Sequence, residues 1–210
     1  MRPVRTKLGL NRQVALWLGV GLAGFFLLPW YTTNDPFWSF EWLVDDWPLD
    51  DDAAPAILQA MLHGKAWLYP VPIFFALALP ALSAGTAPRR ASTGLIAAGA
   101  GGLAYLLLQG FAIGIAGWEF ATLEAWFGPI DRQFGMGYGA LLVAAAYLFL
   151  LTQGLAARGF VAGDRFVAGS IGLVIALILA FVFYPVSRIL VSAFRDNEGL
   201  YSLGLFLDKI

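Results

Sequence analysis

The chain alternates long apolar stretches with short polar ones. Five stretches contain no Asp, Glu, Lys or Arg: residues 13–34, 66–88, 91–118, 133–157 and 166–187. A helix needs about 20 mainly apolar residues to cross the hydrocarbon core of a bilayer. Helices of soluble cores rarely avoid charge for so long, because one face of each meets water. The pattern therefore predicts five transmembrane helices, near 13–31, 67–86, 93–117, 135–157 and 166–188.

The predicted fold class is accordingly all-α, a polytopic membrane protein with five transmembrane helices. The first apolar run is longer than that of a cleaved signal peptide, and Phe25–Tyr31 offers no small-residue cleavage site. We therefore expect the first helix to remain in the membrane.

Basic residues predict the orientation, because Lys and Arg in short loops favour the cytoplasmic side. The segments before the first helix, after the second and after the fourth carry Arg2, Arg5, Lys7, Arg12, Arg89, Arg90, Arg158 and Arg165. The opposite loops carry only Lys65 and Arg132. This asymmetry predicts an N-terminus inside and a C-terminus outside. Trp favours headgroup depth, and every Trp except Trp17 falls at or beyond the predicted outer ends: Trp30, Trp38, Trp42, Trp47, Trp67, Trp118 and Trp126.

The amino-acid composition limits the kinds of chemical site that the chain can hold. The 210 residues are 60% hydrophobic and 13% charged, whereas soluble domains are roughly a quarter charged. Cys is absent and His63 is the single histidine, which excludes disulfides, thiolate metal sites and multi-histidine sites. The net charge of −1 offers no basic excess for a nucleic-acid partner. No nucleophile pair or phosphate-binding loop occurs, so we expect neither an enzyme nor a cofactor.

The predicted outer loop 32–65 interleaves aromatic and acidic residues. Asp52 is placed to cap a short helix, with Pro55 in its first turn and residues 56–62 as its body. His63 and Gly64 would end that helix. We expect the loop to fold onto the membrane surface, with aromatic rings towards the lipid and carboxylates towards water.

The loop also carries an acidic cluster: Asp45, Asp46, Asp50, Asp51 and Asp52. Several carboxylates together can bind a divalent cation. The cluster lacks the Gly and the distal Glu of an EF-hand loop, and a solvated outer loop accounts for it without a metal. We favour the solvated loop and assign no metal site.

The glutamines and prolines inside the predicted spans each allow two interpretations. Gln109 and Gln153 can mark a substrate pathway, but a hydrogen bond to a neighbouring helix is the commoner role. Pro70, Pro72 and Pro80 can break a helix that lines a transport site, or can simply bend it. We favour the second reading in both cases.

Small residues recur at helical spacing and predict close helix packing. The rows are Ala168, Gly172, Ala176 and Ala180 in the fifth span, Gly94, Ala98 and Gly102 in the third, Gly110 and Gly114 nearby, and Gly135 with Gly139 at the start of the fourth. They indicate a bundle, or docking on a partner.

The end of the chain has an ordered set of elements. Pro185 lies where the fifth span reaches its predicted outer end, and an amphipathic helix follows: Val186, Ile189, Leu190, Ala193 and Phe194 share one face. Residues 196–199 would end that helix, and Ser202 is placed to cap another.

These elements resemble the start of the membrane subunit of bacterial binding-protein-dependent ABC importers, of the ferric-iron, polyamine and thiamine type. In that family a first core helix ends in an apolar-aromatic-Pro pattern and leads into an outward-facing short helix. The matching residues are Phe183, Tyr184, Pro185, Ser192, Phe194, Arg195, Asp196, Gly199, Tyr201, Ser202 and Leu203. The resemblance covers about residues 166–210, and the other four spans would be an N-terminal extension.

The resemblance implies a multi-pass permease of the bacterial inner membrane that works with an ABC ATPase and a periplasmic solute-binding protein. It divides the chain into a four-helix membrane extension at 1–157 and the first core helix of a permease domain with its tail at 158–210. The family's Glu-Ala-Ala…Gly loop, which docks on the ATPase, does not occur here. No substrate-path or ATPase-contact residue can therefore be assigned. The chain is then either the N-terminal part of a longer permease or a shortened, uncoupled relative.

A different hypothesis needs no ATPase. The uncharged spans and small-residue rows also suit a self-contained five-span protein that assembles or stabilises a partner complex.

Overall fold

The computed structural model describes residues 10–32, 36, 38–45, 47–51, 53–83, 85–114, 117–130 and 135–193. The chain forms two compact units, Met1–Gly169 and Ser170–Ile210. In the part of the first unit that the structure describes, seven α-helices precede residue 157: α1 Arg12–Leu27, α2 Trp42–Asp45, α3 Ala56–Leu62, α4 Pro70–Ala78, α5 Pro88–Ala112, α6 Ala121–Phe127 and α7 Tyr138–Ala156. Short 3-10 helices cover Ala66–Leu68, Leu79–Leu82 and Phe160–Gly163.

A long helix begins in the first unit and continues in the second. It consists of α8 at Arg165–Ile178, a π-helical segment at Leu179–Phe183 and α9 at Tyr184–Ala193. Proline has no N–H to donate and clashes with the carbonyl of the preceding turn. The π-helical segment ends two residues before Pro185 and accommodates this disruption, so the helix continues beyond the proline.

The helices of the first unit run alternately between two ends. At one end, which we call the arginine end, the Asn11 N–H donates to the Leu82 carbonyl at 2.8 Å and Arg165 donates to the Gln13 side chain at 2.9 Å. At the opposite end, which we call the loop end, Pro29 pairs with Pro55, and Tyr31 with Met136, as isolated β-bridges. Neighbouring helices are therefore antiparallel, in the alternation that the sequence predicts.

Glycines bring α1 and α7 into backbone contact. A Cβ added to Gly24 would lie 2.7 Å from the Gly139 carbonyl oxygen and 2.9 Å from Leu142 Cβ. A Cβ on Gly139 would lie 2.6 Å from the Gly24 oxygen. Both glycines are buried. The row predicted from Gly135 and Gly139 thus packs helices through Gly139.

Glycines also allow α5 and α7 to approach closely where these two helices cross. A Cβ on Gly102 would lie 2.5 Å from the Tyr147 ring, and one on Gly99 would lie 2.6 Å from Leu151. Ala98, which lies between Gly94 and Gly102 in the predicted row, is fully buried. The Tyr147 ring stacks on Phe75 of α4, with 4.4 Å between centroids, so three helices meet at one side chain.

Two apolar helices are shorter than the sequence predicts. The first ends at Leu27 rather than near 31, because Pro29 follows and the chain turns into β-bridge pairing. The second was expected to be bent by its prolines. Pro70 occupies the first turn of α4, where its missing N–H is harmless, and Pro80 lies in the following 3-10 helix, which ends at Leu82 rather than near 86. The bend itself stays a prediction.

The third span also ends early. It was expected to reach residue 117, but α5 ends at Ala112 and a small antiparallel ribbon follows, Ile113–Gly114 with Gly117–Trp118. Gly117 has φ +115, a backbone conformation that glycine adopts without strain. This ribbon was not predicted.

Within the described residues, three helices are long and apolar enough to cross a bilayer: Pro88–Ala112, Tyr138–Ala156 and Arg165–Val191. Arg12–Leu27 and Ala66–Leu82 are apolar but shorter. The 16 residues of α1 rise about 24 Å, less than the hydrocarbon core of about 30 Å.

The glycine contact gives a first prediction. Gly24→Ala should lower the free energy of unfolding by about 1–3 kcal/mol, because the methyl group overpacks the α1–α7 contact. Gly19→Ala is the matched control: it lies on the same helix and its Cβ would meet nothing within 4 Å. It should be neutral or stabilising by up to about 1 kcal/mol. Unfolding of the detergent-solubilised chain, followed by circular dichroism, measures both; equal values would contradict the contact.

Candidate functional site

Among the described residues, buried polar side chains lie at both ends, and those at the loop end connect the outer loop to the helices. We call this group the loop-end assembly and define it by seven residues: Tyr31, Asp51, Gln59, Lys65, Trp67, Tyr105 and Gln109. All except Asp51 and Tyr105 are at least nine-tenths buried.

Trp67 is the centre of the assembly. Its indole N–H donates to the Tyr31 hydroxyl at 2.9 Å. Its carbonyl accepts hydrogen bonds from the Tyr105 hydroxyl and from the Gln109 amide, the latter at 3.2 Å. Tyr105 and Gln109 are one turn apart on α5 and so share a face. One residue before α4 therefore connects α5 to the segment after α1.

Gln109 thus has the role the sequence favours, a hydrogen bond between helices. Its bond keeps a carbonyl satisfied in a buried place, where an unpaired polar group is costly. Burial also raises the pKa of the Tyr31 phenol, which lies beyond the end of α1, so Tyr31 stays neutral.

Lys65 carries a buried charge. Its side chain is 7% exposed, and its ammonium lies 2.8 Å from Asp51 Oδ1 and 4.8 Å from the centroid of the Tyr31 ring. His63 Nδ1 lies 3.5 Å from the same carboxylate oxygen. A carboxylate and an aromatic face together stabilise an ammonium removed from water.

The outer loop is tied down by backbone contacts around α3. Gln59 is fully buried and its amide donates to the carbonyls of Ala54 and Asp51. The Trp47 indole donates to the Leu27 carbonyl at 2.9 Å, which satisfies a free carbonyl at the end of α1.

The helix predicted at 56–62 is present with those bounds. Pro55 is its N-cap rather than a first-turn residue, and the proposed cap Asp52 lies outside the described residues. His63 is the C-cap, and Gly64 has φ +68, as expected for the residue that ends a helix.

The aromatic residues of this end divide into two sets. Trp67, Trp118 and Phe127 pack together, with 4.9 Å between the centroids of the two indoles. Trp38 and Trp126 are 82% and 79% exposed. The loop end therefore buries some rings in protein and presents others at its surface. The orientation of the loop's rings towards lipid stays a prediction.

The contacts of the loop-end assembly anchor the outer loop to the helices. Among the described residues, no group of three or more His, Cys, Asp or Glu is placed to hold a metal ion. Of the acidic cluster, Asp51 is engaged by Lys65, while Asp46 and Asp52 lie outside the described residues.

The remaining candidates lie elsewhere. Gln153, on α7 at the arginine end, is 6% exposed, and its Oε1 has no hydrogen-bond partner among the described residues. Within the described part of the chain, this oxygen therefore does not take part in the predicted hydrogen bond to a neighbouring helix.

The pattern carrying the family resemblance is described only in part. Phe183, Tyr184 and Pro185 lie within the continuous fifth helix, and Ser192 lies near its end. The rest of the pattern is outside the described residues: Phe194, Arg195, Asp196, Gly199, Tyr201, Ser202 and Leu203.

Sequence reasoning missed Lys65 and Tyr31 as partners. The available signal was Lys65 itself, an isolated cation in an acidic loop that leads directly into an uncharged span. A lone charge next to aromatic and acidic residues indicates a buried pair.

Two curated proteins are similar to part of the chain. A ferric transport system permease protein of Actinobacillus pleuropneumoniae is 32% identical over 80 residues, which cover 38% of this chain and 12% of that protein. A provisionally named ferric transport system permease protein of Haemophilus influenzae is 35% identical over 66 residues, 31% of this chain and 10% of that protein. The matches thus span about a tenth of each relative, and they support the resemblance to ABC importer permeases.

No protein-family model matches the chain, and no solved structure matches it.

The buried charge gives a second prediction. Asp51→Asn should destabilise the chain by about 1–2 kcal/mol, because it leaves the Lys65 ammonium buried without a carboxylate; the estimate is discounted because Asp51 is 58% exposed. Adding Lys65→Met should recover most of the loss. Glu41→Gln, an exposed carboxylate of the same loop, is the control and should change little. Thermal unfolding of wild type, Asp51→Asn, Lys65→Met and the double variant gives the coupling energy, and simple additivity would show that the pair contributes nothing.

Proposed function

We propose that the chain is a membrane-spanning permease component, the N-terminal region, of an ABC-type importer for ferric iron or a similar small solute. The single observation that carries this proposal is the similarity to two ferric transport permeases. The proposed permease acts in the bacterial inner membrane. An ABC ATPase and a periplasmic solute-binding protein engage the permease through regions that this sequence does not contain.

The proposed topology has five spans, with the N-terminus inside and the C-terminus outside. It is supported by the alternation of the helices, which brings Arg89, Arg158 and Arg165 to one end, where the positive-inside rule favours the cytoplasm. The two shorter helices, Arg12–Leu27 and Ala66–Leu82, cross the remaining thickness through the apolar segments that flank them or by local thinning of the bilayer.

Within this topology, residues 1–157 are an extension and residues 158–210 begin the permease core. The loop-end assembly gives the extension a rigid outer surface. The fifth helix supplies the face that packs on later core helices: in the unit Ser170–Ile210, Gly172 and Ala176 are half-buried and Ala180 is exposed. Small side chains on such a face permit close helix contact in lipid.

The alternative is a self-contained protein that stabilises a partner complex. The same small-residue face favours it, since such a face accepts any suitably shaped helix. Uptake measurements separate the two functions.

Initial uptake of radiolabelled ferric iron should fall to background in cells lacking the gene that encodes this region, and its return should restore uptake. Ala176→Leu should reduce uptake strongly, because the larger side chain blocks helix contact, whereas Val174→Leu, on an exposed position of the same helix, should not.

Normal uptake in the deletion strain would contradict the transport function. If a different membrane complex loses stability in that strain, the partner-stabilising function is the correct one.

A further inference from the structure

A cavity of about 560 Å³ opens at the arginine end of the first unit. It is lined by Pro88, Arg89, Ser92 and Thr93 from the first turns of α5, and by Ala157 and Arg158 from the end of α7. This volume lies within the usual range of small-molecule sites. The proposed permease function does not require this cavity.

The guanidinium of Arg158 is held in place. It donates to Thr93 Oγ1 at 2.7 Å and to Ser92 Oγ at 3.4 Å. Both hydroxyls in turn donate to the Arg89 carbonyl, at 3.0 and 2.7 Å. These bonds use only part of the guanidinium, whose remaining N–H groups are available to an anion.

Arginines outnumber carboxylates among the described residues at this end, where Asp164 accepts hydrogen bonds from the backbone N–H groups of Phe166 and Val167. In the part of the chain that the structure describes, Arg89, Arg158 and Arg165 form no ion pair; the ion pairs there involve Asp51 at the opposite end. The N-terminus of the 25-residue α5 adds a partial positive charge and free backbone N–H groups. This combination attracts an oxyanion.

A second, smaller cavity of about 140 Å³ adjoins the first and shares Pro88, Ser92 and Ala157 with it. Its lining includes Gln153 and Arg165. The Gln153 Oε1 is buried and has no partner among the described residues. A buried amide oxygen without a donor is unfavourable unless a ligand supplies one.

We propose that these cavities bind the headgroup of an anionic glycerophospholipid that carries hydroxyl groups, such as phosphatidylglycerol. The phosphodiester accepts hydrogen bonds from the guanidinium groups of Arg89 and Arg158, while the hydroxyls of Ser92 and Thr93 hold Arg158 in position. A headgroup hydroxyl donates to Gln153 Oε1. Arg165 lines the smaller cavity, where its positive charge disfavours an ammonium headgroup and thus favours a hydroxyl.

The depth of the site favours a lipid over free phosphate. The cavity lies where apolar helices end, which is headgroup depth for a chain in a bilayer. Basic pockets between helices at this depth are suited to anionic headgroups. Leu79 and Phe160, at the same end, are about half exposed and can contact acyl chains.

Lipid retention by the detergent-solubilised full chain, counted by native mass spectrometry, tests the proposal. Wild type should retain phosphatidylglycerol in preference to phosphatidylcholine. Arg89→Gln and Arg158→Gln should each lower retention about tenfold, the loss expected from one charge-assisted contact. Arg90→Gln, the adjacent exposed arginine outside the lining, is the matched control and should retain lipid normally.

A second comparison isolates Gln153. Phosphatidylmethanol has the charge of phosphatidylglycerol but no headgroup hydroxyl. Wild type should prefer phosphatidylglycerol, whereas Gln153→Leu should retain the two lipids equally. This readout depends on a ratio within one variant, so it holds even if the variant is less stable.

Three results would overturn the proposal. One is equal retention by wild type, Arg89→Gln and Arg158→Gln. Another is an unchanged preference for phosphatidylglycerol in Gln153→Leu. The third is stabilisation of the chain by inorganic phosphate alone to the same thermal midpoint as by phosphatidylglycerol, which would assign the site to a free anion.

Discussion

The close approach of α7 to α1 and α5 is the contact on which the first unit depends. Between helices in lipid the hydrophobic effect gives little drive, so association relies on tight packing and interhelical hydrogen bonds. Gly24 and Gly139 permit the first contact, and Gly99 and Gly102 permit the second. Each position would place an added Cβ against backbone or a ring, so no larger residue fits without a shift.

Both ends of the unit follow from this packing. At the loop end, the N–H groups of Gly137 and Gly139 donate to the carbonyls of Trp30 and Pro29, both at 2.8 Å, because α7 starts directly beside the end of α1. At the arginine end, the crossing of α5 and α7 sets Arg158 against Ser92 and Thr93. At the loop end the buried Lys65 ammonium is paired with Asp51, whereas Arg89, Arg158 and Arg165 at the arginine end form no ion pair among the described residues.

Much of this organisation was predictable from spacing. The row Gly94, Ala98 and Gly102 predicts a packed face on α5, and the structure buries Ala98 and Gly102 there. Helix ends were less predictable, because apolarity continues past them: Pro29 ends α1, and the ribbon after Ala112 ends α5, inside stretches without charge. Contacts such as Lys65 with Asp51 and Tyr31 join residues distant in sequence, and periodicity carries no information about them. Gln109 and Gln153 look alike in sequence, yet only the position of Trp67 gives the first a partner.

Cysteine accessibility tests the central claim, an antiparallel bundle that crosses the inner membrane with its loop end outside, most directly. The chain contains no cysteine, so single substitutions report without background. Leu49→Cys and Ala125→Cys mark the loop end, and Ala87→Cys and Phe160→Cys mark the arginine end, all at exposed positions. A membrane-impermeant maleimide should label the first pair in intact spheroplasts and the second pair only after permeabilisation. Labelling of both pairs from the same side, or of the arginine end alone in intact spheroplasts, would contradict the account.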